Sequence, residues 1–72
     1  MIEIKCETVD EKRKVSVQEG DSLIYAIESP LSGKATELKL DVALLIHTRN
    51  ELRKRQAAVD KAILAKLKEM EG

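Results

Sequence analysis

The chain is nearly devoid of aromatic side chains: among its 72 residues Tyr25 is the single aromatic residue, and Phe and Trp are absent. Its core must therefore be aliphatic and thin, because a domain of this size buries only about 60 % of its unfolded surface. Cysteine is equally scarce, and one Cys and one His exclude an intrachain disulfide and make a structural metal site a poor prospect. Small domains then rely on a second chain, so the sequence predicts self-association.

The chain also lacks an excess of charge of either sign. Thirteen basic and 13 acidic residues give a formal net charge of zero, whereas a dedicated nucleic-acid binder draws most of its affinity from a basic excess. No apolar run approaches the roughly 18 residues that a membrane span requires. The first residues have no signal-peptide pattern, and a single cysteine is typical of a reducing compartment. We therefore expect a cytoplasmic protein without a membrane segment.

The N-terminal residues alternate between apolar and charged side chains. Ile2, Ile4 and Cys6 are separated by charged residues, and Val15 and Val17 repeat the pattern after a polar stretch. A period of two residues is typical of a strand with one wet face. The sequence therefore predicts a two-stranded antiparallel β-hairpin.

A short helix is predicted next. Gly20 interrupts the second strand, and Leu23, Ile24 and Ile27 then form a narrow apolar stripe at helical spacing. Pro30 would end this helix, because the residue before a proline avoids the helical region. We predict a helix over 23–28 and a loop over 29–35.

The remaining residues, 37–70, contain neither proline nor glycine. Thr36 is a suitable N-cap, and Glu37 favours the first turn of a helix. One continuous helix of this length would be a rod of roughly 50 Å. An alternative is a strand over 37–42, where Leu38, Leu40 and Val42 alternate with polar residues.

Within this helix, apolar residues recur at seven-residue intervals, as in a coiled coil. One row, Leu38, Leu45, Leu52 and Val59, keeps this spacing throughout. The second row of the seam is interrupted by Arg49 and Gln56, so the alternative is an amphipathic helix that folds back on its own domain. The interface predicted for a homodimer or higher oligomer consists of Leu45, Leu52, Val59, Ile63 and Met70. The expected fold is a single α+β domain over 1–72, with hairpin, short helix and loop in 1–36 and a long C-terminal helix in 37–70.

No group of residues indicates catalysis, a cofactor or a metal. His47 with Glu51 supplies two ligands without a third, and Cys6 lies on the apolar face of its strand. The sequence Ser32-Gly33-Lys34 lacks the upstream glycine and the following hydroxyl of a phosphate-binding loop. The expected function is thus non-enzymatic: an adaptor that binds itself, and another protein through the C-terminal helix.

A DNA-binding regulator is the alternative function. One concentrated basic patch contains Arg49, Arg53, Lys54 and Arg55. The order of a strand, a helix, a loop and a second helix is similar to that of ribbon-helix-helix repressors. That resemblance implies contacts to DNA bases from the exposed strand residues Lys14, Ser16 and Gln18.

Overall fold

A computed structural model describes residues 1–31 and 36–71, which form three strands followed by two helices. The strands are β1 (Ile2–Val9), β2 (Lys12–Glu19) and β3 (Ser22–Pro30). They precede α1 (Glu37–Glu51), a 3-10 turn (Arg53–Arg55) and α2 (Gln56–Glu71). The predicted α+β class is confirmed.

The sheet is an antiparallel meander in the order β1-β2-β3. Strands β1 and β2 form the predicted hairpin, joined by Asp10 and Glu11 with φ of 50° and 62°. Two successive residues in this left-handed region are typical of a type I′ turn, whose twist matches that of the flanking strands. The predicted hairpin is therefore part of a larger sheet.

The predicted helix over 23–28 is wrong, because these residues lie in β3. Strand β3 pairs with β2 in a register that places Val17 opposite Tyr25 but Gln18 opposite Leu23. This shift is a β-bulge, an extra residue in one strand that breaks the alternation of side chains. Because of the bulge, Leu23 lies on the outer face opposite Gln18, whereas Ile27 lies on the inner face opposite Val15. The alternation of apolar residues along β3 is therefore broken, and the spacing of Leu23, Ile24 and Ile27 imitates a helical stripe.

Helix α1 begins as the sequence predicts. The backbone N–H of Lys39 donates to Oγ1 of Thr36 at 3.2 Å, which makes Thr36 the N-cap. The alternative of a strand over 37–42 is therefore wrong. The predicted continuity of the helix to residue 70 is also wrong, since the chain turns at Leu52, with φ −102° and ψ 66°.

The two helices pack against each other and cover one face of the sheet. Helix α1 lies over β2 and β3, whereas α2 lies against β1. Val15, Leu45 and Val59 are fully buried between these layers. The longest dimension of the molecule is 33 Å, well short of the rod expected for one straight helix. The coiled-coil seam is not confirmed, because Leu45 and Val59 of the predicted seam are buried in the core of one chain.

Two further sequence expectations can be placed. Of the predicted loop over 29–35, Ser29 and Pro30 belong to β3, and residues 32–35 lie outside the described ranges. In the part of the chain that the structure describes, neither helix has the length and apolar character needed to traverse a lipid bilayer.

Candidate functional site

An open groove of about 650 Å³ lies between β1 and α2. Ile2 and Ile4 of β1 line one side. The other side is formed by one long and three small side chains of α2: Ala57, Ala58, Lys61 and Ala62. Because alanine has a single methyl group, α2 leaves room above the start of β1 that a larger side chain would fill. The groove is thus a mainly apolar surface, and no other element among residues 1–31 and 36–71 covers it.

The groove is adjacent to the open edge of β1. The backbone N–H of Gly20 donates to the carbonyl oxygen of Met1 at 3.4 Å. The backbone groups of Met1 therefore point toward the β2 side. Backbone groups alternate in direction along an antiparallel strand. Ile2, Ile4 and Cys6 therefore point their N–H and C=O groups away from β2. No backbone group of residues 1–31 and 36–71 pairs with them, so they are open to a further strand as far as the described residues are concerned.

The outer face of β1 carries charges of alternating sign, Glu3, Lys5 and Glu7. Opposite Glu3 and Lys5 on β2 are the neutral residues Gln18 and Ser16. Neither of the two charged residues forms an ion pair among residues 1–31 and 36–71. The charges of Glu3 and Lys5 are thus not neutralised by the neighbouring strand, whereas Glu7 lies opposite Lys14.

A second apolar surface lies on α2. Leu64, Leu67 and Met70 are exposed to 59 %, 40 % and 44 %. Residues three positions apart are neighbours on a helix surface, so the three side chains form one row. We call this set the α2 row.

A buried charge cluster joins the sheet to both helices. The carboxylate of Asp41 on α1 is fully buried. It accepts from Nε of Arg13 at 2.7 Å and from Nη2 at 3.0 Å, a bidentate pair with β2. Nζ of Lys66 on α2 lies 3.3 Å from its Oδ2. One carboxylate therefore connects three elements of the fold.

The rim of the cluster is more exposed. Nη1 of Arg13 donates to Glu37 at 2.6 Å, and Oγ1 of Thr8 donates to the same carboxylate at 3.1 Å. The hydrogen bond to Asp41 raises the pKa of Arg13. Burial disfavours the charged ammonium of Lys66, but its hydrogen bond to Asp41 and the nearby negative charges outweigh burial and raise its pKa. Both cations therefore stay charged at neutral pH.

Cys6 lies beside this cluster but is not activated by it. Burial, followed by the negative charge of Asp41, raises the pKa of the thiol above its ordinary value. A nucleophilic cysteine needs a lowered pKa, because the thiolate is the reactive form. The arrangement is thus suited to fixing the packing of the helices rather than to nucleophilic chemistry.

The predicted interface residues occupy different environments. Leu45 and Val59 have no exposed surface and lie in the core of the chain. Leu52 is half-buried at the end of α1, and Ile63 is half-buried and packs against the core. Met70 is exposed and belongs to the α2 row. The structure does not bring the five residues together on one open surface.

The predicted basic residues are also dispersed. Nε of Arg49 lies 2.5 Å from Asp60, and Nη2 of Arg55 lies 3.1 Å from Glu19. The hydrogen bond from Arg55 lowers the pKa of Glu19, so this pair is charged at neutral pH. The exposed residues Arg53 and Lys54 form no ion pair among the described residues.

The outer face of β2 differs from a DNA-reading ribbon. Strand β2 is the central strand, and Lys14 lies opposite Glu7 on one side and Glu28 on the other. Two carboxylates therefore offset the positive charge that the ribbon-helix-helix resemblance assigns to Lys14. Ser16 and Gln18 lie on the same central strand.

Sequence reasoning missed both the groove and the buried cluster. The groove depends on how α2 lies against β1, which no local pattern reveals. A signal for the cluster exists, because Asp41 interrupts the apolar residues Leu40, Val42 and Leu44. In the described ranges no group of three or more His, Cys, Asp or Glu side chains is arranged to hold a metal ion.

With this geometry in view, the chain was compared with known proteins. No protein-family model matches it, and the searches of curated proteins and of solved structures returned no significant match.

Proposed function

We propose that the chain is a non-enzymatic protein–protein interaction module that self-associates through its C-terminal helix, α2. The observation that supports this proposal is the α2 row of Leu64, Leu67 and Met70, which leaves three large apolar side chains in water on one helix. Removing such side chains from water favours association. The thin aliphatic core gives the chain a further reason to associate.

The spacing of the α2 row suits a second copy of the chain. Two antiparallel α2 helices related by a two-fold axis at Leu67 would place Leu67 against its own copy and Leu64 against Met70. A two-fold interface uses the same patch on both subunits, and the even spacing of the row meets this condition. An amphipathic helix of another protein would use the same row. The proposal places this activity in the cytoplasm.

We expect the double variant Leu64→Glu/Leu67→Glu to be monomeric under conditions in which the wild-type chain is dimeric. The reason is that two carboxylates would have to be buried against apolar partners. Sedimentation equilibrium at tens of micromolar, on the order of a weak dimer's dissociation constant, measures the mass directly. Leu23→Glu is the matched control, because Leu23 is 62 % exposed but lies on β3. A wild-type monomer at these concentrations, or equal effects of the two variants, would contradict the proposal.

Nucleic-acid binding is the second candidate function, and Arg53 and Lys54 support it. They are adjacent and exposed at the turn between the helices, and their charges are not neutralised by an ion pair in the described part of the chain. The remaining basic residues of the patch, Arg49 and Arg55, pair with carboxylates of the chain. The surface therefore offers about two phosphate contacts.

This candidate predicts weak and salt-dependent binding. With about two phosphate contacts, the affinity should fall roughly tenfold between about 50 and 200 mM salt. A mobility-shift assay with mixed-sequence duplexes measures this slope, and Arg53→Glu/Lys54→Glu should abolish the shift. Arg49→Glu is the control, because Arg49 is already paired with Asp60. No binding at the lower salt concentration would leave the protein-interaction proposal alone.

A further inference from the structure

The groove beside β1 is separate from the α2 row, and the proposed function does not use it. Packed helices lie about 8–10 Å apart, whereas neighbouring strands lie about 4.8 Å apart. Two packed helices are therefore about as wide as four strands, but the sheet under α1 and α2 has three. Helix α1 lies over β2 and β3, and α2 lies against β1. The helical layer therefore extends beyond the sheet at the open edge of β1. The groove lies at that position.

We propose that this edge binds an extended peptide of a partner protein as a fourth strand beneath α2. Peptide binding by strand addition uses main-chain hydrogen bonds for affinity and side-chain contacts for specificity. The peptide that fits has small aliphatic side chains at every second position. Between them it carries positive, negative and positive charges in that order.

The backbone of β1 is suited to this role. Ile2, Ile4 and Cys6 direct their N–H and C=O groups to the open edge, and an antiparallel peptide opposite these residues forms roughly six hydrogen bonds. Strand β1 contains no proline, glycine or bulge over Ile2–Val9. Proline and bulges protect edge strands from added strands, and β1 has neither. Charged side chains also protect an edge, so Glu3, Lys5 and Glu7 restrict the edge to a strand of complementary charge.

The side chains define the partner. On the inner face, the small residues Ala57, Ala58 and Ala62 leave space for aliphatic groups the size of valine. On the outer face, the charges of the peptide lie opposite Glu3, Lys5 and Glu7. Opposite-charge pairs across strands are favourable and like-charge pairs unfavourable. The required order of charges follows from these three residues.

A second copy of the chain is a poorer occupant than a peptide. If β1 of another copy paired with this edge, its own α2 would accompany it into the space beside the groove. The remaining width accommodates one strand, not one strand with a helix above it. A peptide strand that carries no helix fits within this width.

The probe is a fluorescent peptide, Val-Lys-Val-Glu-Val-Lys-Val, and its charge-reversed control is Val-Glu-Val-Lys-Val-Glu-Val. Fluorescence anisotropy with the full chain measures both affinities. We expect the first peptide to bind about tenfold or more tightly, because three charge pairs change sign between the two. N-methylation of its glutamate amide, which points away from β1, prevents the peptides from pairing with each other and should preserve binding. N-methylation of the central valine amides should abolish binding.

The variant Glu3→Lys/Lys5→Glu tests the site on the protein. Both residues are exposed and face neutral neighbours, Gln18 and Ser16, so the exchange leaves the charge pairs of the fold unchanged. The variant should prefer the charge-reversed peptide by several-fold, since Glu7 is retained. Ala57→Trp, which places a large side chain in the groove, should abolish binding of either peptide while the circular dichroism spectrum stays unchanged.

Three results would overturn the inference: no binding of either peptide, equal binding of both, or a preference that does not reverse in the exchanged variant. A wild-type dimer that dissociates on Ala57→Trp would show instead that a second copy occupies the groove. These outcomes are independent of Leu64→Glu/Leu67→Glu, so the failure of this inference is distinguishable from failure of the proposed function.

Discussion

Replacing Asp41 by alanine is expected to lower the free energy of unfolding by about 3 kcal/mol. The carboxylate has no exposed surface, and its partners Arg13 and Lys66 are only 12 % and 23 % exposed. Removing one partner of a buried ion pair costs about 3–5 kcal/mol, because the remaining charge is left buried without compensation. The lower end of this energy range applies to Asp41, because Arg13 and Lys66 both retain contact with water. Urea unfolding followed by circular dichroism measures the loss.

Glu37→Ala is the matched control for this prediction. Glu37 contacts the same Arg13 side chain from the preceding turn of α1, but it is 58 % exposed. Exposed ion pairs contribute at most about 1 kcal/mol. Comparable losses for the two variants would show that the burial of Asp41 is not what makes its ion pairs important.

An apolar replacement of the whole cluster separates stability from specificity. In Arg13→Met/Asp41→Leu/Lys66→Met no buried charge remains, and such replacements are often neutral or stabilising. We expect this variant to recover most of the stability that Asp41→Ala loses. If it does so with a single well-dispersed set of NMR signals, the cluster is not required to select one packing of the helices.

Leu45→Ala is expected to lower the free energy of unfolding by about 3 kcal/mol. Leu45 is fully buried among Val15, Leu44 and Val59. Removing a buried leucine side chain costs the transfer energy of its atoms and leaves a cavity, about 2–5 kcal/mol in total. The neighbouring residue Ile46 is 46 % exposed, so Ile46→Ala should be nearly neutral.

The dependence on protein concentration distinguishes a core residue from an interface residue. If Leu45 acts only within its own chain, Leu45→Ala shifts the urea midpoint by the same amount at low and at high protein concentration. If Leu45 lay between chains, the shift would change with concentration, because association is coupled to folding. Urea midpoints measured over a hundredfold range of protein concentration distinguish the two cases. Over that range, coupling of association to folding changes the stability by about 2.7 kcal/mol.

The regular alternation in β1 and β2 made the first hairpin predictable from the sequence. The charged residues between Ile2, Ile4 and Cys6 are compatible with one structure, a strand with one solvent-exposed face. The third strand was not predictable in this way. Its bulge near Leu23 disrupts the alternation at the position where the pattern begins, and Tyr25 and Ile27 alone do not restore it.

The helical break at Leu52 has a different cause. Neither proline nor glycine marks it, and the surrounding residues are good helix formers. Tertiary packing outweighs this local preference, because folding back allows Leu45 and Val59 to bury each other. The polar residues Arg49 and Gln56, which interrupt the apolar row on both sides of Leu52, were the available indication.

The candidate surfaces were predictable only in part. Met70 was assigned to an interface and is exposed. The groove was not predictable, because it arises from the relative widths of two layers. The buried ion pairs of Asp41 depend on residues that are far apart in the sequence, so their partners could not be identified from it.

The bulge in β3 has a consequence for polymerisation. Open sheets form fibres when both edges accept new strands, since each added chain then presents an edge for the next. The bulge between Leu23 and Tyr25 and the proline at residue 30 disturb the outer edge of β3, whereas β1 pairs with β2 without a bulge. Growth by copies of this chain is therefore confined to one side, because two copies joined through their β1 strands would expose only their disturbed β3 edges.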